Sequence, residues 1–213
     1  MTDDAPAIVR VDQPARSSAF MAAKRLVQGL FLLLATPRLL TYALARRVVG
    51  ERRAFGAASE SIARIPGIRG VYVRQAFYRR LLASCGQDCY FGWNSVFSMP
   101  EAQLGERVYI GRFCSIGYAV LEDEVLLADG VQILSGGQEH ASHDGEHASA
   151  QSASQQYKQV RIGKAAWIGA RAVVMADVGA GAVIGAGAVV NRPIPADSIA
   201  VGVPAKVIKQ RRS

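Results

Sequence analysis

All three histidines of the 213-residue chain fall within eight positions, His140, His143 and His147. They lie in the stretch "LSGGQEHASHDGEHASAQSASQQYKQVR", residues 134–161. A neutral imidazole titrating near about 6.5 can take a proton from an attacking hydroxyl at cellular pH. Three imidazoles at i, i+3 and i+7 could also hold a metal. Here they sit among Gly, Ser and Ala, and no histidine lies elsewhere to complete a ligand set, so a catalytic metal is disfavoured and the stretch on its own reads as a disordered His-bearing loop. Glu139 or Asp144 could orient the imidazole or stabilise its cation. Cys85 and Cys89 form a C-x3-C pair with no second pair, which reads as core and not as a metal site. An odd total of three cysteines argues for free thiols and a reducing compartment.

A histidine loop needs a scaffold, and the flanking sequence supplies a periodic one. Stepping by six gives Cys85, Phe91, Phe97; Leu104, Ile110, Ile116; Leu121, Leu127, Ile133; Ile162, Ile168, Val174; and Val178, Ile184, Val190. All fifteen positions are apolar, and nine are followed directly by Gly: Gly86, Gly92, Gly105, Gly111, Gly117, Gly163, Gly169, Gly179 and Gly185. One inward apolar residue in six implies a short strand, a corner and another short strand. Three such sides close a triangular coil, and coils must stack to bury their apolar residues. The glycines are expected to serve the corners through their backbone freedom. The break between Ile133 and Ile162 is a loop that leaves the coil. No Walker-type or dinucleotide-binding glycine pattern is present; coil corners account for the Gly spacing.

The first 84 residues differ in character. They hold 14 Lys/Arg and 5 Asp/Glu, against 11 and 12 in residues 85–213, so the whole basic excess is N-terminal. "MTDDAPAIVRVDQPARSS" reads as a flexible polar tail with no signal peptide. "FMAAKRLVQGLFLLLATPRLLTYALARRVV", residues 20–49, contains an uncharged run from Leu26 to Pro37 that is too short to span a bilayer. A helix ending or kinking at Pro37, a second over Arg38–Val49 and a third over Val71–Ala83 are expected. Leucine stripes beside arginines suit an in-plane helix on an anionic membrane surface. They do not suit nucleic acid, whose sites use exposed aromatic and polar base-readers.

"VRIGKAAWIGARAVVMADVGAGAVIGAGAVVNRPIPADSIAVGVPAKVIKQR", residues 160–211, resembles the hexapeptide-repeat acyltransferases. "VGVPAKVI", 201–208, resembles that family's closing motif, and residues 57–97 resemble the lead-in of a bacterial subgroup associated with surface-polysaccharide synthesis. "MADVGAGAVIG", 175–185, is two residues shorter than the commonest family version, which implies a tightened coil. The resemblance implies an all-β, left-handed parallel β-helix of about five coils, with an N-terminal α-helical extension over 1–84 and a short C-terminal helix. The catalytic domain would cover 85–213, with excursion loop 134–161.

It further implies an O-acetyltransferase that moves acetyl from acetyl-CoA to a sugar hydroxyl of a surface polysaccharide or exopolysaccharide precursor. In galactoside and serine acetyltransferases the general base is a His on such an excursion. His140 resembles it best, with His143 in reserve. Position by position, the resemblance places acetyl-CoA against Ala170, Ala186, Asn191, Arg192, Lys206 and Lys209. Asn94 resembles an Asn that contacts the acceptor, although a plain turn Asn has the same look. The implied partners are a carbohydrate acceptor, lipid-linked or free, and two further copies in a homotrimer, with contact to the inner face of the cytoplasmic membrane. Gamma-class carbonic anhydrases, also β-helices, bind zinc through dispersed His, a pattern this chain lacks. A non-catalytic membrane-associated β-helix scaffold is the rival reading.

Overall fold

The computed structural model describes residues 18–135 and 157–211, with the backbone alone for 18–28 and Leu32. The repeat folds as the period demands. Its coils comprise β1 Ser84–Cys85, β2 Tyr90–Phe91 and β3 Val96–Phe97; β4 Gln103–Leu104, β5 Tyr109–Ile110 and β6 Ser115–Ile116; β7 Ala119–Leu121, β8 Leu126–Leu127 and β9 Gln132–Ile133. Above them lie β10 Val160–Ile162, β11 Trp167–Ile168 and β12 Val173–Val174, then β13 Val183–Ile184 and β14 Val189–Val190. Strands stack in parallel into three faces. The first runs β1-β4-β7-β10. The second contains β2-β5-β8-β11-β13, and the third β3-β6-β9-β12-β14. Every residue of the five apolar triplets sits in one register with its counterparts. Cys85 pairs with Leu104, Phe91 with Ile110 and Phe97 with Ile116, and so upward. The shortened fifth coil meets the first face through Val178 alone, which bridges to Ile162 on one side and Ile194 on the other. That is the tightening the short "MADVGAGAVIG" implies.

The glycines do their work differently from the expectation. The left-handed corner residues are Asp88, Asn94, Arg107, Phe113, Glu124, Ala165, Arg171 and Asp197, with Gly130, Gly181 and Gly187. Each stands three places after an inward apolar residue, and most carry side chains. Their N–H groups donate down the stack to the coil below, as in Arg107 to Gln87 O at 2.8 Å and Phe113 to Trp93 O at 3.1 Å. The glycine directly after the apolar residue is required by crowding. A Cβ on Gly92 would lie 2.2 Å from Gly111 O, and one on Gly163 would lie 2.4 Å from Ala180 N. Coils about 4.8 Å apart leave no room for a side chain there.

The corner between the third and first faces is the irregular one, and it absorbs every change of spacing. It holds Pro100, Tyr118, the loop, Asp177 and Arg192 in successive coils.

Three helices cap the lower end: α1 Ser18–Val49, α2 Glu51–Ala63 and α3 Gly67–Leu81. The helix does not end at Pro37 and no separate helix starts at Arg38; α1 runs through the proline. Proline costs the helix about 3 kcal/mol, but Ala35 and Tyr42, on either side of it, are buried in the cap. Helix α2 was not foreseen, and α3 begins earlier than Val71. Phe55, Phe77 and Tyr78 join Phe91 and Phe97 in one aromatic cluster that crosses the junction.

The cap also satisfies the open edge of the first coil. Asn94 N–H donates to Ala63 O at 2.9 Å, and Phe97 N–H to Ser59 Oγ at 3.0 Å. Gln75 Nε2 donates to Cys89 O at 2.7 Å, and Arg74 Nε to Phe91 O at 3.0 Å. An exposed edge would otherwise invite pairing with another chain.

The upper end corrects a second expectation. No C-terminal helix forms. β15 Ser198–Val201 continues the second face, and β16 Lys206–Gln210 folds back on it antiparallel. The last coil leaves unpaired backbone groups, and "KVIKQ", with two β-branched residues, meets them better as a strand than as a helix.

Candidate functional site

His140, His143, His147, Glu139 and Asp144 lie outside the described residues. The neck of their loop is defined. It leaves the third face at Ser135, whose carbonyl accepts the Lys158 N–H at 2.8 Å, and returns to the first face at Val160. The Arg52 guanidinium sits over the Tyr157 ring at 5.1 Å and pairs with Glu101 at 3.2 Å, fastening the neck to α2. The loop therefore leaves from the third coil, at the corner between the third and first faces.

The other sequence-selected residues fall into place around the third face. Ala170 and Ala186 occupy successive coils of the corner between the second and third faces. Ala186 is exposed, Ala170 half-buried, and a Cβ on the neighbouring Gly187 would meet nothing within 4 Å. This part of the edge is open at Ala186 and Gly187 in the fifth coil, with exposed Arg171 beside Ala170 in the coil below. Lys206 pairs with Val201 and Lys209 with Ile199 in the hairpin above it, both exposed. Asn191 and Arg192 are exposed on the opposite corner, the one that launches the histidine loop. The structure thus sets Ala170 and Ala186 at one edge of the third face and Asn191 and Arg192 at the other, with Lys206 and Lys209 on the hairpin that extends the second face. It does not bring Asn94 there. Asn94 shares the edge with Ala170 but sits three coils lower, about 14 Å away. Its φ of 60° makes it a corner residue like Phe113 and Arg171, which is the plain-turn reading.

Sequence reasoning missed the lower half of that edge. Trp93 and Phe113 project there, 41% and 52% exposed, in edge-to-face contact with centroids 5.2 Å apart. Beside them a cleft of about 730 Å³ opens between α3 and the first two coils. Ile68, Val71, Tyr72, Tyr90, Trp93 and Arg112 line it. The only signal in the sequence was two bulky aromatics at corner positions. The edge therefore changes along its height: Trp93 and Phe113 stand in coils one and two, Ala170 beside an exposed Arg171 in coil four, and Ala186 with Gly187 in coil five. The histidine loop departs at the level between.

Among the described residues, no group of three or more His, Cys, Asp or Glu could hold a metal ion. Cys89 and Cys114 are buried, and burial pushes the Cys114 thiol up. A hydrogen bond with Cys85 holds Cys89 below its ordinary range and raises Cys85.

Residues 159–192 match the family model described as the hexapeptide repeat of succinyl-transferase. No curated protein sequence matches the chain. Among solved structures, a maltose O-acetyltransferase from Clostridium difficile 630 superposes with a TM-score of 0.63 at 24% identity, covering 76% of this chain and 89% of that one. A galactoside acetyltransferase in complex with coenzyme A gives 0.64 at 22% identity, covering 76% and 82%. A hexapeptide-repeat acetyltransferase from Vibrio cholerae O1 biovar eltor, complexed with acetyl coenzyme A, gives 0.60 at 19% identity, covering 79% and 92%. At these identities the likeness is one of fold. The chain carries the hexapeptide repeat and has the left-handed parallel β-helix fold of the hexapeptide-repeat acetyltransferases.

Proposed function

We propose that this chain is an O-acetyltransferase that takes acetyl from acetyl-CoA and delivers it to a carbohydrate hydroxyl, with a precursor of a surface polysaccharide as the acceptor. The edge between the second and third faces carries the reading. Its upper part, Ala186 and Gly187 above Ala170 and Arg171, leaves an open track in the fifth coil on which a narrow pantetheine arm fits, with Lys206 and Lys209 above to meet phosphates. Its lower half offers Trp93 and Tyr90 for the apolar face of a sugar ring and Arg112 for an anionic substituent. Solved relatives of the fold include a maltose and a galactoside acetyltransferase, and the second was solved with coenzyme A.

In the reaction, His140 accepts the proton of the acceptor hydroxyl as its oxygen bonds to the thioester carbonyl carbon. The carbon–sulfur bond then breaks, the imidazolium returns the proton to the departing sulfur, and the products are an acetate ester and the free thiol. A backbone N–H at a coil corner can stabilise the intermediate oxyanion. His143 stands in reserve for the base. The working unit is a homotrimer in which the edge of one β-helix faces the histidine loop of the next.

The test is transfer of labelled acetyl from acetyl-CoA into a membrane and sugar-precursor extract. Wild type should transfer, and His140→Ala should lose at least ~100-fold, the scale of a general base. Loss in His143→Ala with survival in His140→Ala would move the base by three residues. A folded protein that binds no acetyl-CoA would overturn the reading in favour of a non-catalytic scaffold.

A further inference from the structure

Helix α1 has two apolar faces, and only one is used. Phe31 stacks on Tyr72 of α3 at 4.9 Å, and Tyr42 meets Phe55 of α2 edge-on at 6.5 Å; Ala35 is fully buried between the helices. The other face carries Leu30 (59% exposed), Leu33 (68%), Leu34 (51%), Leu40 (64%), Leu44 (67%) and Val48 (80%). At 100° per residue these fall in one stripe about 120° wide and about 27 Å long, centred opposite Ala35 and Tyr42. A bare leucine stripe of this size on a folded protein marks an interaction surface.

Charge selects the occupant. The 32 residues of α1 contain Lys24, Arg25, Arg38, Arg46 and Arg47, and no Asp or Glu. Arg38 and Arg47 lie roughly 90° to either side of the stripe. A second copy docked on this face would set arginine against arginine along both flanks. An anionic bilayer surface accepts both features, burying the leucines at the acyl boundary and placing the arginines among the headgroups. Among the described residues no helix is long and apolar enough to cross a membrane.

We infer that α1 lies in the plane of an anionic bilayer on its Leu30–Val48 stripe, with Arg38 and Arg47 at the headgroups. The stripe points away from α2 and α3, so the β-helix is carried on the far side of the cap. This holds whatever the β-helix transfers.

Flotation of the full-length protein with phosphatidylcholine vesicles, with and without phosphatidylglycerol, tests it. Wild type should partition at least ~10-fold better onto the phosphatidylglycerol vesicles, and salt should weaken that preference. Leu33→Gln/Leu40→Gln alters two exposed positions, so its melting temperature should hold while its partition falls on the order of tenfold per residue. Arg38→Gln/Arg47→Gln should lose about fivefold per arginine, on anionic vesicles only. Wild type that stays with the soluble fraction would overturn the inference. So would leucine variants that partition unchanged, or that lose self-association in sedimentation without any change in vesicle binding.

Discussion

At the scale of single residues, two kinds of glycine do opposite things. Gly169 follows an inward isoleucine, and a Cβ there would stand 2.5 Å from Ala186 N and 2.6 Å from Ile184 O, atoms of the coil above. Backbone must move, so Gly169→Ala should destabilise by about 3 kcal/mol. Gly187 occupies a left-handed corner at φ 68° with open space around it. Gly187→Ala should cost only about 1 kcal/mol, a cost Ala165 already bears at an equivalent corner. Thermal unfolding of the two variants beside wild type checks the contrast; equal losses would mean that conformation and not crowding governs both sites. Ala186 gives a functional counterpart. It is exposed, so Ala186→Trp should leave the melting temperature alone while raising the KM for acetyl-CoA at least ~10-fold by filling the open wall. An unchanged KM would remove the edge from the donor site. The inward residues and their glycines were legible in the sequence because burial imposes a period of six on them. The outward corner residues were not, because solvent imposes no period, and Trp93 and Phe113 stood out only after the coils were stacked.

At the scale of elements, the helical cap shows why local sequence undersold the N-terminal third. The run through Pro37 looks like a helix end, and only contacts made by α2 and α3 reveal that it continues. Arg74 concentrates those contacts. It is 1% exposed, and its guanidinium donates to Ile65 O at 2.8 Å, Phe91 O at 3.0 Å and Ala63 O at 3.4 Å. One side chain thus ties the end of α2, the turn after it and the first coil together. Burial pushes its pKa down from the ordinary arginine value, yet a guanidinium stays charged at neutral pH. Arg74→Met keeps the bulk but leaves buried carbonyls without donors, and should cost about 3 kcal/mol or more. Because the upper coils are stacked on one another and not on Arg74, limited proteolysis of the variant should cut first within residues 50–97. Cleavage spread evenly along the chain would show that cap and coils unfold as one unit. The same contacts redefine how a membrane role can be tested. Deleting residues 1–56 removes Tyr42 and Phe55 from the core, so substitutions on the bare stripe are the cleaner experiment.

At the scale of the whole molecule, the proposed donor wall and the histidine loop leave opposite edges of the third face. Ala170 and Ala186 stand at its corner with the second face, and Ser135 at its corner with the first. In a ring of three identical β-helices, one corner of each meets the other corner of its neighbour, which is the heterologous contact that closes a threefold. The proposed site then draws its base from one chain and its donor wall from the next. Two variants damaged in different halves of the site should therefore repair each other when assayed at acetyl-CoA concentrations below the raised KM of Ala186→Trp. His140→Ala lacks the base but keeps the wall; Ala186→Trp keeps the base and fills the wall. Unfolded together and refolded in equal amounts, they should assemble at random, so that about one quarter of all sites pair an intact base with an intact wall. Acetyl transfer should return to roughly that fraction of wild type, above the level of either variant alone. Mixed trimers that sediment at three times the chain mass and remain inactive would place both halves of the site on one chain. The histidine loop would then have to cross the third face of its own β-helix to reach the donor.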